Sequence, residues 1–236
     1  MSNHLKPIVF AAVLSIVCGS LLTLASTGLK EYQLKNIALD KQKNILKSVG
    51  LIGDAALPPA DAIDKLYADN IRQMWVGSGG KLVAKAEKGT TDLPVYLYVK
   101  GGDIQSFIIP VDSRGLWGRI LGYLALKSDG ATVAGFTVYS HSETPGLGGE
   151  IEKSWFQNNF SGKKILDNEG NLVSVTVAKG KVKERIAKER QPNFVDGISG
   201  ATLTGKFLSG GLKETLVAYE PLSERFRKKE VKTTEK

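Results

Sequence analysis

The sequence predicts an α+β fold: one N-terminal transmembrane helix, then a domain of mostly antiparallel sheet with flanking helices. Three observations carry this expectation. No charge occurs between Lys6 and Lys30. Further on, apolar and polar residues alternate in the segments 95–100, 104–109, 120–126 and 132–139, which is the pattern of half-buried strands. Finally, Phe207, Leu208, Leu212, Leu216 and Val217 recur at helical spacing. Strands in sequence with helices at the ends of the domain define the α+β class.

The uncharged run from Pro7 to Leu29 exceeds the roughly 20 residues that cross a bilayer. A cleaved signal peptide is the main competitor, with Lys6 as its n-region and Ala25-Ser26-Thr27 as its cleavage region. A lipoprotein signal acylated at Cys18 would place bulky Val17 where a small residue belongs, and the apolar run continues to Leu24. An uncleaved single-pass anchor in membrane lipid fits the length best. Lys30, Lys35, Lys41, Lys43 and Lys47 follow the span and only Lys6 precedes it, which by the positive-inside rule argues for a cytoplasmic domain. Long domains translocate regardless of such charges, so charge alone leaves the orientation open.

Leu34, Ile37, Ile45 and Val49 among lysines predict a charged helix after the span, and 60–75 reads as a second helix after Pro58-Pro59. Ser128-Asp129-Gly130 predicts a hairpin turn between the last two alternating segments. A helix over 151–160, a turn at Asn168-Glu169-Gly170, a strand over 172–177 and a basic segment over 179–190 complete the expected order. The organisation is then 1–29 as a cytoplasmic N-terminus and span, 30–80 as a helical connector, 81–222 as the folded domain, and 223–236 as a basic tail.

Composition narrows the function. With 42% hydrophobic and 24% charged residues the chain is not mainly disordered. Cys18, the single cysteine, lies in the apolar span, so disulfides within the chain, cysteine-ligated zinc and iron–sulfur clusters held by this chain alone are excluded. With His4 and His141 the only histidines, neither a metal centre nor a hydrolase triad is expected, and no catalytic residue is assigned. Much of the net charge of +8 lies in scattered lysines and the segment 225–236, whose one aromatic is Phe226, so nucleic acid is not an expected partner.

Two constellations remain. The first is Asp196-Gly-Ile-Ser-Gly-Ala-Thr-Leu-Thr204, which opens the last helix. Unpaired N–H groups and the helix dipole favour a phosphate there, and Gly200 and Ala201 leave room around Thr202. Two other readings of this stretch compete: Ser199 as an ordinary N-cap, and 200–206 as a phosphate loop of the G-x-x-x-x-G-K type. The latter needs Ser or Thr next, where Phe207 stands. The second constellation is His141-Ser-Glu-Thr-Pro-Gly-Leu-Gly-Gly-Glu150, whose glycines permit close approach of backbone to a flat or anionic ligand; an irregular turn is the plain alternative.

With the anchor and Gly115-Leu-Trp117, these motifs are similar to those of the C subunits of the Na+-translocating NADH:quinone oxidoreductases, in the same order along most of the chain. The G subunit of the related ferredoxin:NAD oxidoreductase complex shares the plan; Leu116-Trp117 and Gly148-Gly149-Glu150 favour the sodium pump. The resemblance implies that 81–222 is an FMN-binding domain on the outer side of a bacterial inner membrane. It also implies covalent FMN, esterified to Thr202 by a separate magnesium-dependent flavin transferase that uses FAD as donor. Asp196 is then part of what the transferase recognises. Ser199, Gly200, Ala201, Leu203 and Thr204 surround the attachment, and Glu143, Thr144, Gly146, Leu147, Gly148 and Trp117 contact the flavin. The chain would relay single electrons within a complex of six subunits, with the NADH and quinone sites on the others. A non-redox, membrane-anchored binding or assembly module, with both glycine-rich loops structural, is the alternative class.

Overall fold

The structure, a computed structural model, describes residues 5–53 and 57–231; His4 and the last five residues of the expected tail lie outside them. Residues up to Asp40 and those from Lys41 onward form two compact units. The first unit is helical: helix α1 (Leu5–Ser48) contains a stretch long and apolar enough to cross a membrane, with none of that stretch buried. Ile8, Phe10, Ile16, Leu22 and Leu24 are exposed there, which suits lipid rather than water.

In the second unit, a six-stranded sheet is flanked by helices. It comprises β1 (Ile71–Val76), β2 (Leu82–Val83), β3 (Leu93–Lys100), β4 (Asp103–Arg114), β5 (Arg119–Lys127) and β6 (Val133–Ser140). The order is β2-β1-β3-β4-β5-β6, every pair antiparallel. The four alternating segments are therefore β3 to β6. Between β5 and β6 the turn forms as expected: Gly130 N–H donates to Lys127 O at 3.0 Å, and Asp129 Oδ1 accepts from Ala131 and Thr132 N–H at 2.9 and 2.8 Å.

Alternation divides the sheet into two buried faces. On one, Val95, Leu97, Phe107, Ile109, Val111, Leu124 and Leu126 pack with Leu208, Leu212, Leu216, Tyr219 and Leu222 of the long C-terminal helix. Tyr96, Tyr123 and Tyr139 occupy the other, where Tyr96 and Tyr123 meet edge to face at 6.0 Å. The last turns of α1 bury Ile45 and Leu46 completely, and Thr137 Oγ1 donates to Asn44 O at 3.2 Å. Burial of the phenols raises Tyr67 and Tyr96 to about 12.

Several expectations need correction. The helix begun at residue 60 ends early: α2 is Ala60–Asn70, where Asn70 Nδ2 turns back to Leu66 O at 2.9 Å, and 71–75 belong to β1. Pairing of Ile71 through Val76 with β3 overrides the helical pattern. The expected connector 30–80 thus supplies a strand and the core turns of α1. The helix over 151–160 is broken into a 3-10 turn at Gly148–Glu152, a single α-turn α3 (Ser154–Gln157) and a second 3-10 turn at Asn158–Phe160. Of the strand over 172–177, only Thr176–Val177 becomes a strand, β7, parallel to β8 (Phe194–Val195), while Leu172 makes an isolated antiparallel bridge to Leu166; between β7 and β8, α4 (Val182–Arg185) forms one turn of the basic segment. The last helix, α5 (Thr202–Arg227), runs into the expected tail because Phe226 stacks on Phe107 at 4.4 Å.

Helix α5 lies close to the sheet through glycine. A Cβ on Gly211 would collide with the Ser113 side chain, whereas one on Gly210 would meet nothing within 4 Å. Gly211→Ala should therefore destabilise the protein by about 1–3 kcal/mol. Gly210→Ala should stabilise it by about 0.5–1 kcal/mol, through helix propensity alone. Urea unfolding midpoints of the two variants in detergent check the opposite signs.

Candidate functional site

Thr202 is the first residue of α5 and is exposed, with Ala201 as N-cap and no side-chain capping bond. Ser199 is therefore not the cap; it is exposed within the turn that Ala201 N–H closes by donating to Ile198 O at 3.2 Å. The first regular helix bond runs from Gly205 N–H to Ala201 O at 3.0 Å, so the N–H groups of residues 202–204 have no partner within the helix. Such donors, with the helix dipole, attract an anion beside the Thr202 hydroxyl.

A cavity of about 200 Å3 opens at this point. It is lined by Gly200, Ala201, Thr202, Leu203 and Thr204 from one motif, by Glu143, Thr144, Leu147 and Gly148 from the other, and by Leu116 and Trp117. Three segments far apart in sequence meet here. Trp117 (69% exposed), Leu203 (50%), Leu147 (43%) and Leu116 (42%) present apolar surface around it. A neighbouring groove of about 440 Å3, lined by Asp112, Arg114, Gly115, Gly118 and Arg119, shares Leu116 and Trp117.

Glu143 holds the three segments together. It is 5% exposed. Its Oε1 accepts from Leu116 N–H at 2.8 Å and Trp117 N–H at 3.1 Å, and its Oε2 accepts from Thr204 Oγ1. The close approach excludes side chains nearby: a Cβ on Gly148 would lie 2.5 Å from Thr204 Oγ1 and 2.6 Å from Glu143 Oε2. Gly200, at φ +74°, lets the loop pass Leu147, whose Cδ2 would lie 2.7 Å from an added Cβ. The glycines thus join the two motifs to each other.

Not every expected contact lies in the cavity. Gly146 and Ser199 are exposed but not among its lining residues, and Leu116, which the sequence reading does not single out as a contact, is. Its place in the Gly115-Leu-Trp117 run was the available signal. Asp196 also lies outside the lining: its Oδ1 accepts from Val182 N–H at 2.7 Å and its Oδ2 from Lys181 Nζ at 3.0 Å, which ties the basic segment to the motif. Burial opposes its ionisation, but the Val182 N–H and the Lys181 ammonium outweigh that and hold it below the usual carboxylate range.

The residues present fit a flavin mononucleotide: a hydroxyl beside free N–H groups for the phosphate, and apolar and aromatic surface beside it for a flat ring. Residues 115–217 match the FMN-binding domain family, which sets the class of the protein. The C subunit of the Na(+)-translocating NADH-quinone reductase of Vibrio campbellii is 34% identical over 231 residues, covering 84% of each chain. The corresponding protein of Pseudomonas aeruginosa is 33% identical, covering 85% of this chain and 87% of its own. The chain belongs to the family of Na(+)-translocating NADH-quinone reductase C subunits. The crystal structure of the family member from Parabacteroides distasonis, 30% identical, superposes with a TM-score of 0.69 over 83% of this chain and 96% of its own. That of Shewanella oneidensis NqrC, 20% identical, gives 0.64 over 80% and 97% and supports the fold.

Removing the Thr204 hydroxyl should loosen the junction. Thr204→Val leaves a buried carboxyl oxygen of Glu143 without that donor and should cost about 1–3 kcal/mol, while Thr204→Ser, which keeps it, should cost less. Denaturant titration of both variants checks the order.

Proposed function

We propose that this chain carries FMN joined through its phosphate to Thr202 and relays single electrons within a membrane-bound, Na+-translocating NADH:quinone reductase. The observation that supports this most is the exposed hydroxyl of Thr202 at the start of α5, opening on a cavity lined by both motifs and Trp117. Attachment uses FAD and a separate magnesium-dependent flavin transferase. Thr202 Oγ forms a bond to the FMN phosphorus as the P–O–P bond of FAD breaks, AMP leaves, and the hydroxyl proton passes to the medium or to a base of the transferase.

Each residue then has a task. The N–H groups of 202–204 hold the remaining phosphate charge. Leu116, Trp117, Leu147 and Leu203 keep water from the ring, and Glu143 keeps their loops in register. FMN held in this way supplies one-electron exchange. A covalent link fixes the ring and prevents its loss outside the cytoplasm. The NADH and quinone sites belong to other members of the complex of six subunits. Asp196 takes part in recognition by the transferase through the shape it gives to residues 181–196.

Thr202→Ala should abolish covalent FMN on co-expression with a flavin transferase, whereas Thr204→Ala and Ser199→Ala should at most lower its yield. Intact mass and in-gel flavin fluorescence read the outcome. FMN on another residue would reject the assignment, and an unmodified wild-type chain would reject the function.

The domain following the span is placed on the outer side of the inner membrane. Protease added to intact spheroplasts should digest it; protection would show the opposite orientation.

A further inference from the structure

His141, directly after β6, has 13% of its side chain exposed and both ring nitrogens engaged. Nδ1 lies 3.1 Å from the backbone N of Glu143, and Nε2 lies 3.2 Å from Glu152 Oε2. A backbone N–H can only donate, so Nδ1 offers a lone pair and the ring hydrogen sits on Nε2, donated to Glu152. The link from residue 141 to the N–H two residues on has the connectivity of an Asx-turn, with imidazole in place of a side-chain oxygen. It fixes the backbone of the residue whose carboxyl reaches Leu116, Trp117 and Thr204.

We propose that His141 is a positioning residue for the flavin site: its neutral imidazole holds Glu143 in place, and a proton on Nδ1 releases it. This rests on the reading that the Glu143 loop faces FMN. Protonation sets an Nδ1–H against the Glu143 N–H, donor against donor. The charged groups facing the ring are Glu152, directly, and Lys153 through Glu152, with Lys153 Nζ 2.7 Å from Glu152 Oε1. The Glu143 carboxyl is directed elsewhere. Glu152 is held below its ordinary range, first by the Lys153 hydrogen bond, against the opposing effect of burial, with His141 adding a smaller push in the same direction as Lys153. A ring with a lone pair on Nδ1 holds the loop, and a ring protonated on both nitrogens does not.

Wild type, His141→Asn and His141→Leu, each as the full chain in detergent, separate this role from simple packing. Asn keeps an acceptor for an Asx-turn but does not titrate. Exchange of the Glu143 amide is followed by mass spectrometry with fragmentation on flavin-free protein, corrected for intrinsic rates, from pH 8 to 5, the interval in which imidazoles ordinarily titrate. At pH 8 the Leu variant should exchange about three- to tenfold faster than wild type, the effect of one hydrogen bond, and the Asn variant should be restored. Only wild type should loosen as the pH falls. In flavin-loaded protein the flavin fluorescence should change over the same interval in wild type and not in His141→Asn. Wild-type protection in the Leu variant, or the same pH step in the Asn variant, would overturn the proposal. Absence of flavin on wild type would remove the FMN reading while the exchange measurement still decides the role of His141.

Discussion

One carboxyl group, that of Glu143, takes hydrogen bonds from three donors supplied by two distant parts of the chain. Leu116 and Trp117 lie 27 and 26 residues before it and Thr204 lies 61 residues after it. A carboxyl only 5% exposed must have its oxygens satisfied, so the loop that carries it cannot settle until both partners arrive. Apolar packing docks α5 on the sheet, and this carboxyl then fixes how the start of α5 and the 115–118 turn meet at the cavity. Hydrophobic burial is non-directional and could not choose this arrangement alone.

The apolar part of the fold supplies the platform. Helix α5 covers one face of the sheet with leucines in succession, and the end of α1 covers the other, where Gly135 meets the backbone at Ser48. With both faces buried, the sheet is a rigid base, and the site sits on turns at strand and helix ends. Functional side chains commonly lie on loops held by such a scaffold.

Much of this was legible in the sequence because its causes are local. Strands β3 to β6 follow from alternation, and the turn at Asp129 from its residue types. Both motifs were visible as glycines clustered beside threonine, although capping and turn readings competed until the resemblance to a family joined them. What was not legible depended on distant partners. Residues 71–76 become a strand because β3 lies beside them, and 172–174 meet only the short segment at Ile165 and Leu166, which gives a single bridge rather than a ladder. Phe226 looked like part of a solvated tail until Phe107 was placed beneath it. Glu143, read as part of the flavin contact surface, lines the cavity, and the backbone N–H groups that its carboxyl also takes up are marked by no sequence pattern. Asp196, similarly, has its carboxyl engaged by the segment that precedes it.

The placement of Thr202 at the head of α5 sets an order of events during biosynthesis. Every strand of the sheet is translated before α5, yet the cavity has one of its walls only when that helix has been made and docked against β4. The sheet can assemble while the threonine is still without its surroundings. A finished cavity therefore exists only in a chain whose last helix has docked on the sheet.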